Sequence, residues 1–230
     1  MQKTLLQGKY KKILAAVEKE LVCSAHNIEH IFRVYNTALK IAKSEKKVDM
    51  EVLKSAILLH DIARVKEDAD KTGSTCHAEE SAKMSEVILK DLDYSQDKIK
   101  KIQNCIRSHR YKTNNRPESI EAKILFDADK IDSLGAIVIM RAGMWLGKNG
   151  CDIFPKVPFK KYIKDNLVGG KIGGRIKNPS LHNIFYEHEI KNKKLPSLMY
   201  TKMGKKVAEE RLKFVTIFLD RLKKEAEGLL

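Results

Sequence analysis

Three separated stretches of this chain set imidazoles and carboxylates among apolar residues. They are HNIEHIFRV, with His26, His30 and Arg33; LLHDIAR, with His60, Asp61 and Arg64; and ILFDADKID, with Asp127, Asp129, Lys130 and Asp132. A looser fourth group is His77, near an expected helix start, and His109, at an expected helix end. Spacings of four and three put His26, His30 and Arg33 on one face of a helix. Two imidazoles with two carboxylates suit Mn²⁺, Fe²⁺, Zn²⁺, Ni²⁺ or Co²⁺ better than a calcium cage. Four protein ligands around an octahedral ion leave positions open for water and a phosphate oxygen. The ion can then lower the pKa of its water and polarise phosphorus. No serine or cysteine nucleophile motif competes, so hydrolysis by metal-bound water is the economical mechanism.

The element that must position this chemistry is Leu53–Arg64, LKSAILLHDIAR. Ala56, Ile57, Leu58, Leu59, Ile62 and Ala63 surround His60 and Asp61 on nearly every side of a helix, and such a helix is buried. A buried carboxylate without a partner costs several kcal/mol or shifts its pKa until it neutralises. A divalent ion would meet that need.

The other elements follow from periodicity. A helix is expected over 4–22. Another over 27–43 carries Ile28, Ile31, Phe32, Tyr35, Ala38, Leu39 and Ala42 at i, i+3, i+4 spacing, with Asn27 as its N-cap. Asp49 caps the helix that reaches His60. Lys66–Thr75 reads as a polar loop. Helices are expected from Cys76 to Leu89, with Glu79 and Glu80 in the first turn, and from Ser95 to Ser108. Asn114–Pro117 is a turn. A helix from Ser119 is continued or restarted at Gly135–Leu146. Residues 148–200, dense in Gly and Pro up to 180, read as a loop-rich lobe and a candidate lid. Within it GGKIGG has the glycines of a phosphate loop, but no Walker pattern and no preceding strand. Residues 204–226 form an amphipathic helix. The whole reads as one all-α domain over 1–230, with its core at about 20–147.

The chain has 230 residues, 43% of them hydrophobic, which is enough for a sizeable core. No apolar run reaches the ~18 residues of a membrane span, and no signal-peptide h-region is visible, so a cytoplasmic protein is expected. The four cysteines, Cys23, Cys76, Cys105 and Cys151, are scattered; they suggest buried thiols rather than a zinc ribbon or a disulfide framework. The formal net charge of +15 favours polyanionic partners. It also keeps open a nucleic-acid-binding protein with a structural metal site. Against that stand the absence of a basic stripe with interleaved aromatics and the single Trp.

The order of HIFRV, then LLHDIAR, then DADKIDSLG (127–135) resembles the HD-domain metal-dependent phosphohydrolases. The finer similarity is to their single-domain bacterial and archaeal subgroup, which includes nucleotide pyrophosphohydrolases. The terminal YTKMGKKVAEERLKFVTIFLDRL is similar to that subgroup's last helix. The resemblance implies an HD-type helical bundle in which His30, His60, Asp61 and Asp129 hold the metal. Asp127 and Asp132 become supporting or capping groups. Asp61 would also hold the attacking water, and Lys130 would face a substrate phosphate. His77 and His109 would lie near the phosphates or, alternatively, complete a two-metal site. Arg33 and Arg64 would position ligands by buried pairing or touch phosphate. Mn²⁺ is the ion expected first, with Fe²⁺, Ni²⁺, Co²⁺, Zn²⁺ and Mg²⁺ also admissible. The substrate implied is a nucleotide phosphate ester or anhydride. The two-metal alternative is a phosphodiesterase for cyclic nucleotides or short oligonucleotides. No membrane partner is expected, and a homodimer through the terminal helix is possible. His182 and His188 stand outside these motifs.

Overall fold

The computed structural model describes residues 6–21, 28–70, 72–110 and 115–230. Helices account for its regular structure, and among the described residues there is no β-strand beyond one antiparallel bridge, Leu167 to Ile176. The Asn27 cap, His26 and Cys23 lie outside the described residues. The chain divides into two compact units, one of residues 1–130 and 199–204, the other of 131–198 and 205–230.

The first unit is built from α1 (Lys9–Glu20), α2 (Ile28–Ala42), α3 (Met50–Leu59), α4 (Arg64–Ala69), α5 (His77–Lys90), α6 (Gln96–Ser108) and α7 (Ile120–Ile131), whose last residue falls in the second unit. Asp49 caps α3 as its position demands, its carboxylate accepting from the amides of Glu51 and Val52 at 3.0 and 3.1 Å. From Val52 to Leu59, all of α3 except Lys54 is buried, and α3 packs against α1, α2, α5 and α6. The run that is apolar on every side is thus the centre of the unit, as its sequence requires.

Two local expectations are corrected. His60 and Asp61 do not lie inside a helix. α3 stops at Leu59, and i−3 bonds (Ile62 N to Leu59 O, 3.2 Å; Arg64 N to Asp61 O, 2.8 Å) replace the helical ladder in the turn that follows. The polar segment after it is not all loop, because α4 occupies Arg64–Ala69. Asp70 then ends it, its carboxylate accepting from the Thr72 and Thr75 amides at 2.7 Å each.

Asp127 on α7 fixes the start of the last helix, α11 (Lys202–Ala226). Its oxygens accept from the amides of Tyr200 and Thr201 at 2.9 and 2.8 Å and from the Thr201 hydroxyl at 2.6 Å. The Thr201 hydroxyl in turn accepts from the amide of Gly204 at 3.0 Å. A Cβ at Gly204 would collide with the Asp127 carboxylate, so only glycine fits there.

The second unit holds α8 (Gly135–Lys148), α9 (Phe159–Asn166), α10 (Ile184–Ile190) and the body of α11. Its cores are Leu146, Ile184, Phe185, Val215 and Leu219, and separately Tyr162, Leu167 and Tyr186. The lobe expected to be loop-rich therefore carries two short α-helices, three 3-10 turns and buried aromatics. The α-helices went unread because each is only about two turns long between Gly and Pro residues. The GGKIGG glycines close a tight loop: Gly169, Gly170 and Gly173 take positive φ, Val168 N donates to Arg175 O at 2.9 Å, and a Cβ at Gly174 would strike the Val168 carbonyl. His182 is buried and structurally engaged, 2.7 Å from the Tyr162 hydroxyl and 3.4 Å from Glu187. Burial pushes Tyr162 up to about 12. For Glu187 burial acts upward too, but Lys191 and His182 outweigh it and bring the carboxyl down to about 2.

Candidate metal centre

The first unit gathers His30 from α2, His60 and Asp61 from the turn after α3, His77 from the start of α5, His109 from the end of α6 and Asp129 from α7. The four imidazoles and Asp61 are each at most 5% exposed. Asp61 stands at the middle. Its Oδ2 faces His30 Nε2 and His60 Nε2 at 3.7 and 3.8 Å, and its Oδ1 faces His77 Nε2 and His109 Nε2 at 3.4 and 3.5 Å. Two triads result, His30–His60–Asp61 and Asp61–His77–His109. Within each, the ligating atoms lie within 4.8 Å of one another. Asp129 adds Oδ1 at 3.4 Å from His30 Nε2 and 3.9 Å from His60 Nε2.

Three of the imidazoles are held in one tautomer by the backbone and by a carboxylate. His60 Nδ1 donates to Ile57 O at 2.8 Å, His109 Nδ1 to Ile106 O at 2.5 Å, and His77 Nδ1 to Glu67 Oε2 at 2.6 Å. With the proton on Nδ1, each Nε2 turns a lone pair inward, the form a metal binds. His77 Nε2 and His109 Nε2 are then 3.1 Å apart, and His60 Nε2 lies 3.3 Å from His30 Nε2. For His77 and His109, facing lone pairs at that distance repel unless a cation lies among them, so the donor set fits a divalent ion.

The electrostatics agree. Burial brings the imidazoles of His60 and His77 each down to about 4 although Asp61 opposes it, so both are neutral near pH 7. For Asp61 burial acts upward, but His60, His109 and His77 hold the carboxyl well below the usual range. Burial likewise acts upward on Asp129, and Lys130 with His30 and His60 overrides it. The site therefore presents the neutral imidazoles of His60 and His77 beside the ionised carboxylates of Asp61 and Asp129.

The DADKID aspartates separate by role. Asp129 faces the histidines, Asp127 clamps the start of α11, and Asp132 receives Arg141 at 3.1 Å. Lys130 Nζ sits 2.6 Å from Asp129 Oδ2 and 5.4 Å over the Phe126 ring. Arg64 is engaged with Asp68 at 3.0 Å and approaches His77 Nδ1 at 3.2 Å. Arg33 is half-buried on α2, three residues after His30. Sequence reasoning missed Glu67, which accepts from His77 Nδ1, and Arg110, which grips Glu67 by both guanidinium nitrogens at 2.9 and 3.1 Å. The one sequence signal for Arg110 was its place beside His109.

A family model described as HD domain matches residues 27–134, the span that contains every residue of the cluster. YpgQ of Bacillus subtilis is 27% identical over 206 residues, covering 90% of this chain and 87% of that protein. A predicted HD superfamily hydrolase from an uncultured Thermotogales bacterium is 26% identical, with a TM-score of 0.62 over 94% of this chain and 91% of that one. An HD-superfamily hydrolase from Bacillus thuringiensis is 25% identical, with a TM-score of 0.67 over 95% and 97% of the two chains. YpgQ has also been solved in complex with ADP. That structure matches with a TM-score of 0.65 and 22% identity over 98% of this chain and 97% of that one.

Proposed function

We propose that this chain, which belongs to the HD-domain family of metal-dependent hydrolases, hydrolyses a phosphate ester or anhydride of a nucleotide, with a nucleoside triphosphate as the first candidate. The observation that carries the reading is Asp61, a buried carboxylate with each oxygen turned to its own pair of imidazoles. His30, His60, Asp61 and Asp129 would hold the ion. When bound there, a divalent ion supplies a Lewis acid for a phosphoryl oxygen and acidifies water. His60 is fixed in its ligating tautomer by Ile57 O. Lys130 holds Asp129 Oδ2 and so aims Oδ1 at the histidines; it would also bring a positive charge to a phosphate bound beside Asp129. The ADP found in YpgQ, a protein of the same fold, supports a nucleotide as the substrate class.

A second reading has its own observation. The Asp61–His77–His109 triad repeats the donor set of the first, so Asp61 would bridge two ions. His77 and His109 would then be ligands rather than phosphate contacts, and cyclic nucleotides or short oligonucleotides become candidate substrates. One assay separates these readings. Chelator-treated protein, with and without restored Mn²⁺, is given nucleoside triphosphates, nucleoside monophosphates, cyclic nucleotides and dinucleotides. Metal-dependent release of phosphate or pyrophosphate from the triphosphates is the expected result, and cleavage confined to the diesters would favour the second reading. Turnover that survives chelation, or none on any nucleotide, would contradict the proposal.

A further inference from the structure

Between residues 152 and 177, in the second unit, seven cations stand against only two anions, Asp152 and Asp165. Each anion is taken by a lysine four residues away, Asp152 by Lys156 at 2.7 Å and Asp165 by Lys161 at 2.9 Å. Lys177 Nζ donates to the Asp165 carbonyl at 3.0 Å. Lys160, Lys164, Lys171 and Arg175 are all exposed and form no ion pair among the described residues.

Three of these four cations gather at the GGKIGG loop. Leu167 and Ile176 pair in an antiparallel bridge, and Val168 N donates to Arg175 O at 2.9 Å, so the residues between them double back. A Cβ at Gly170 would lie 3.6 Å from the Lys164 carbonyl, which places the loop against the last turn of α9. Its base is pinned. Lys177 N donates to Asn166 O at 2.9 Å, and the buried Asn166 side chain donates to Asn178 O at 3.0 Å and accepts from Asn178 N at 2.9 Å. Leu167 and Ile176 pack with Tyr162 and Tyr186 beneath. Val168 and Ile172 do not; they are left 45% and 41% exposed. A pinned loop that holds two aliphatic side chains in water loses little freedom when a partner covers them.

Aliphatic tips among free cations are complementary to a particular polyanion. A bilayer with anionic headgroups offers negative charge at its surface and acyl chains just below. Nucleic acid fits less well. A single strand stacks its bases on exposed rings, and the rings here are committed inward: Tyr162 is buried and stacks on Tyr186 at 4.0 Å, and Phe159 stacks on Tyr186 at 6.0 Å. A duplex would meet the cations with phosphate and leave the aliphatics in water. No helix among the described residues is long and apolar enough to cross a membrane. Resting on one requires no such helix, so the sequence-based expectation of no membrane partner does not extend to this surface.

We propose that the 164–177 loop of the second unit is a docking surface for an anionic lipid bilayer, with Lys164, Lys171 and Arg175 at the headgroups and Val168 and Ile172 at the acyl boundary. It shares no residue with the metal centre, so it would localise the chain rather than take part in its chemistry.

The test is co-sedimentation of the full chain with vesicles of phosphatidylcholine alone and of phosphatidylcholine with about 30% phosphatidylglycerol. Wild type should sediment with the anionic vesicles only, and less as salt rises. Each cation near such a surface is worth about fivefold, so Lys164→Ala, Lys171→Ala and Arg175→Ala combined should weaken binding by about 100-fold. Ile172→Asn should weaken it by roughly three- to tenfold. Removing three exposed lysines of the first unit instead (Lys40→Ala, Lys43→Ala and Lys100→Ala) should change it by less than about threefold, although the net charge lost is the same. Circular dichroism checks that each variant is folded. No sedimentation with anionic vesicles at low salt, equal sedimentation with phosphatidylcholine alone, undiminished binding in Ile172→Asn, or equal losses in the two triple variants would each overturn the inference. Tighter retention on single-stranded or duplex nucleic acid than on the vesicles, lost in the loop variant, would assign the loop to nucleic acid and overturn it as well.

Discussion

Replacing Asp61 by alanine is expected to lower nucleotide hydrolysis by at least about 10³-fold, roughly 4 kcal/mol or more of transition-state stabilisation. The size follows from its place. Asp61 is the carboxylate common to both triads, with one oxygen on each imidazole pair. Its removal takes a carboxylate from both triads. The fold should survive, because the shape of the first unit comes from α3 and its packing against α1, α2, α5 and α6. Circular dichroism should remain helical while calorimetry shows Mn²⁺ binding gone. Turnover retained in a folded Asp61→Ala variant would remove the assignment of this cluster as the reactive centre.

The second large effect separates two aspartates that lie two residues apart. Asp127→Ala should cost roughly 2–4 kcal/mol of stability, since it leaves the buried Thr201 amide and hydroxyl and the Tyr200 amide without their acceptor. For a chain of this size that is a fall in Tm of roughly 5–10 °C. Metal affinity at temperatures where the variant is folded should change little. Asp129→Ala should do the reverse: Mn²⁺ binding falls by at least about 100-fold while Tm of the metal-free protein moves by little. Gly204→Ala should reproduce part of the Asp127 effect by pushing on the same carboxylate. Thermal melts and Mn²⁺ titrations on the three variants check this. If Asp127→Ala lost the metal and Asp129→Ala kept it, the two roles would have to be exchanged.

Much of the fold was legible because helices announce themselves by period. The apolar run before His60 could only be a buried helix, and Asp49 could only be its cap; both hold in the structure. The helices through Ile99, Ile102 and Ile106 and through Ile124, Leu125 and Ala128 likewise lie where their apolar faces put them. What stayed hidden was short or polar. α4 is six residues long and has no buried face, so its residues read as loop, and Glu67 within it gave no sign of meeting an imidazole ten residues on. The partner that tells Asp127 from Asp129 is Thr201, 74 residues away, a contact that no local pattern encodes. α9 and α10 were lost among Gly and Pro residues because eight and seven residues hold too few turns to show a period.

The gathering of His30, His60, Asp61 and Asp129 was visible only as three apolar stretches that each carried unlikely polar residues. Burial made them conspicuous: a polar group in such a setting needs a partner, and the partners turned out to be one another. The pairing of His77 with His109 had no such marker, since each sits at a helix end where an exposed imidazole would be equally at home. Their burial and the 3.1 Å approach of their Nε2 atoms come from the packing of α5 against α6, which only the structure supplies.

The most direct measurement is elemental analysis of protein purified without chelator, wild type beside His60→Ala. At least one divalent transition ion per wild-type chain, absent or strongly depleted in the folded variant, is the predicted result. Wild-type protein without bound metal that also fails to take up added Mn²⁺, or a His60→Ala variant with undiminished metal content, would contradict the account.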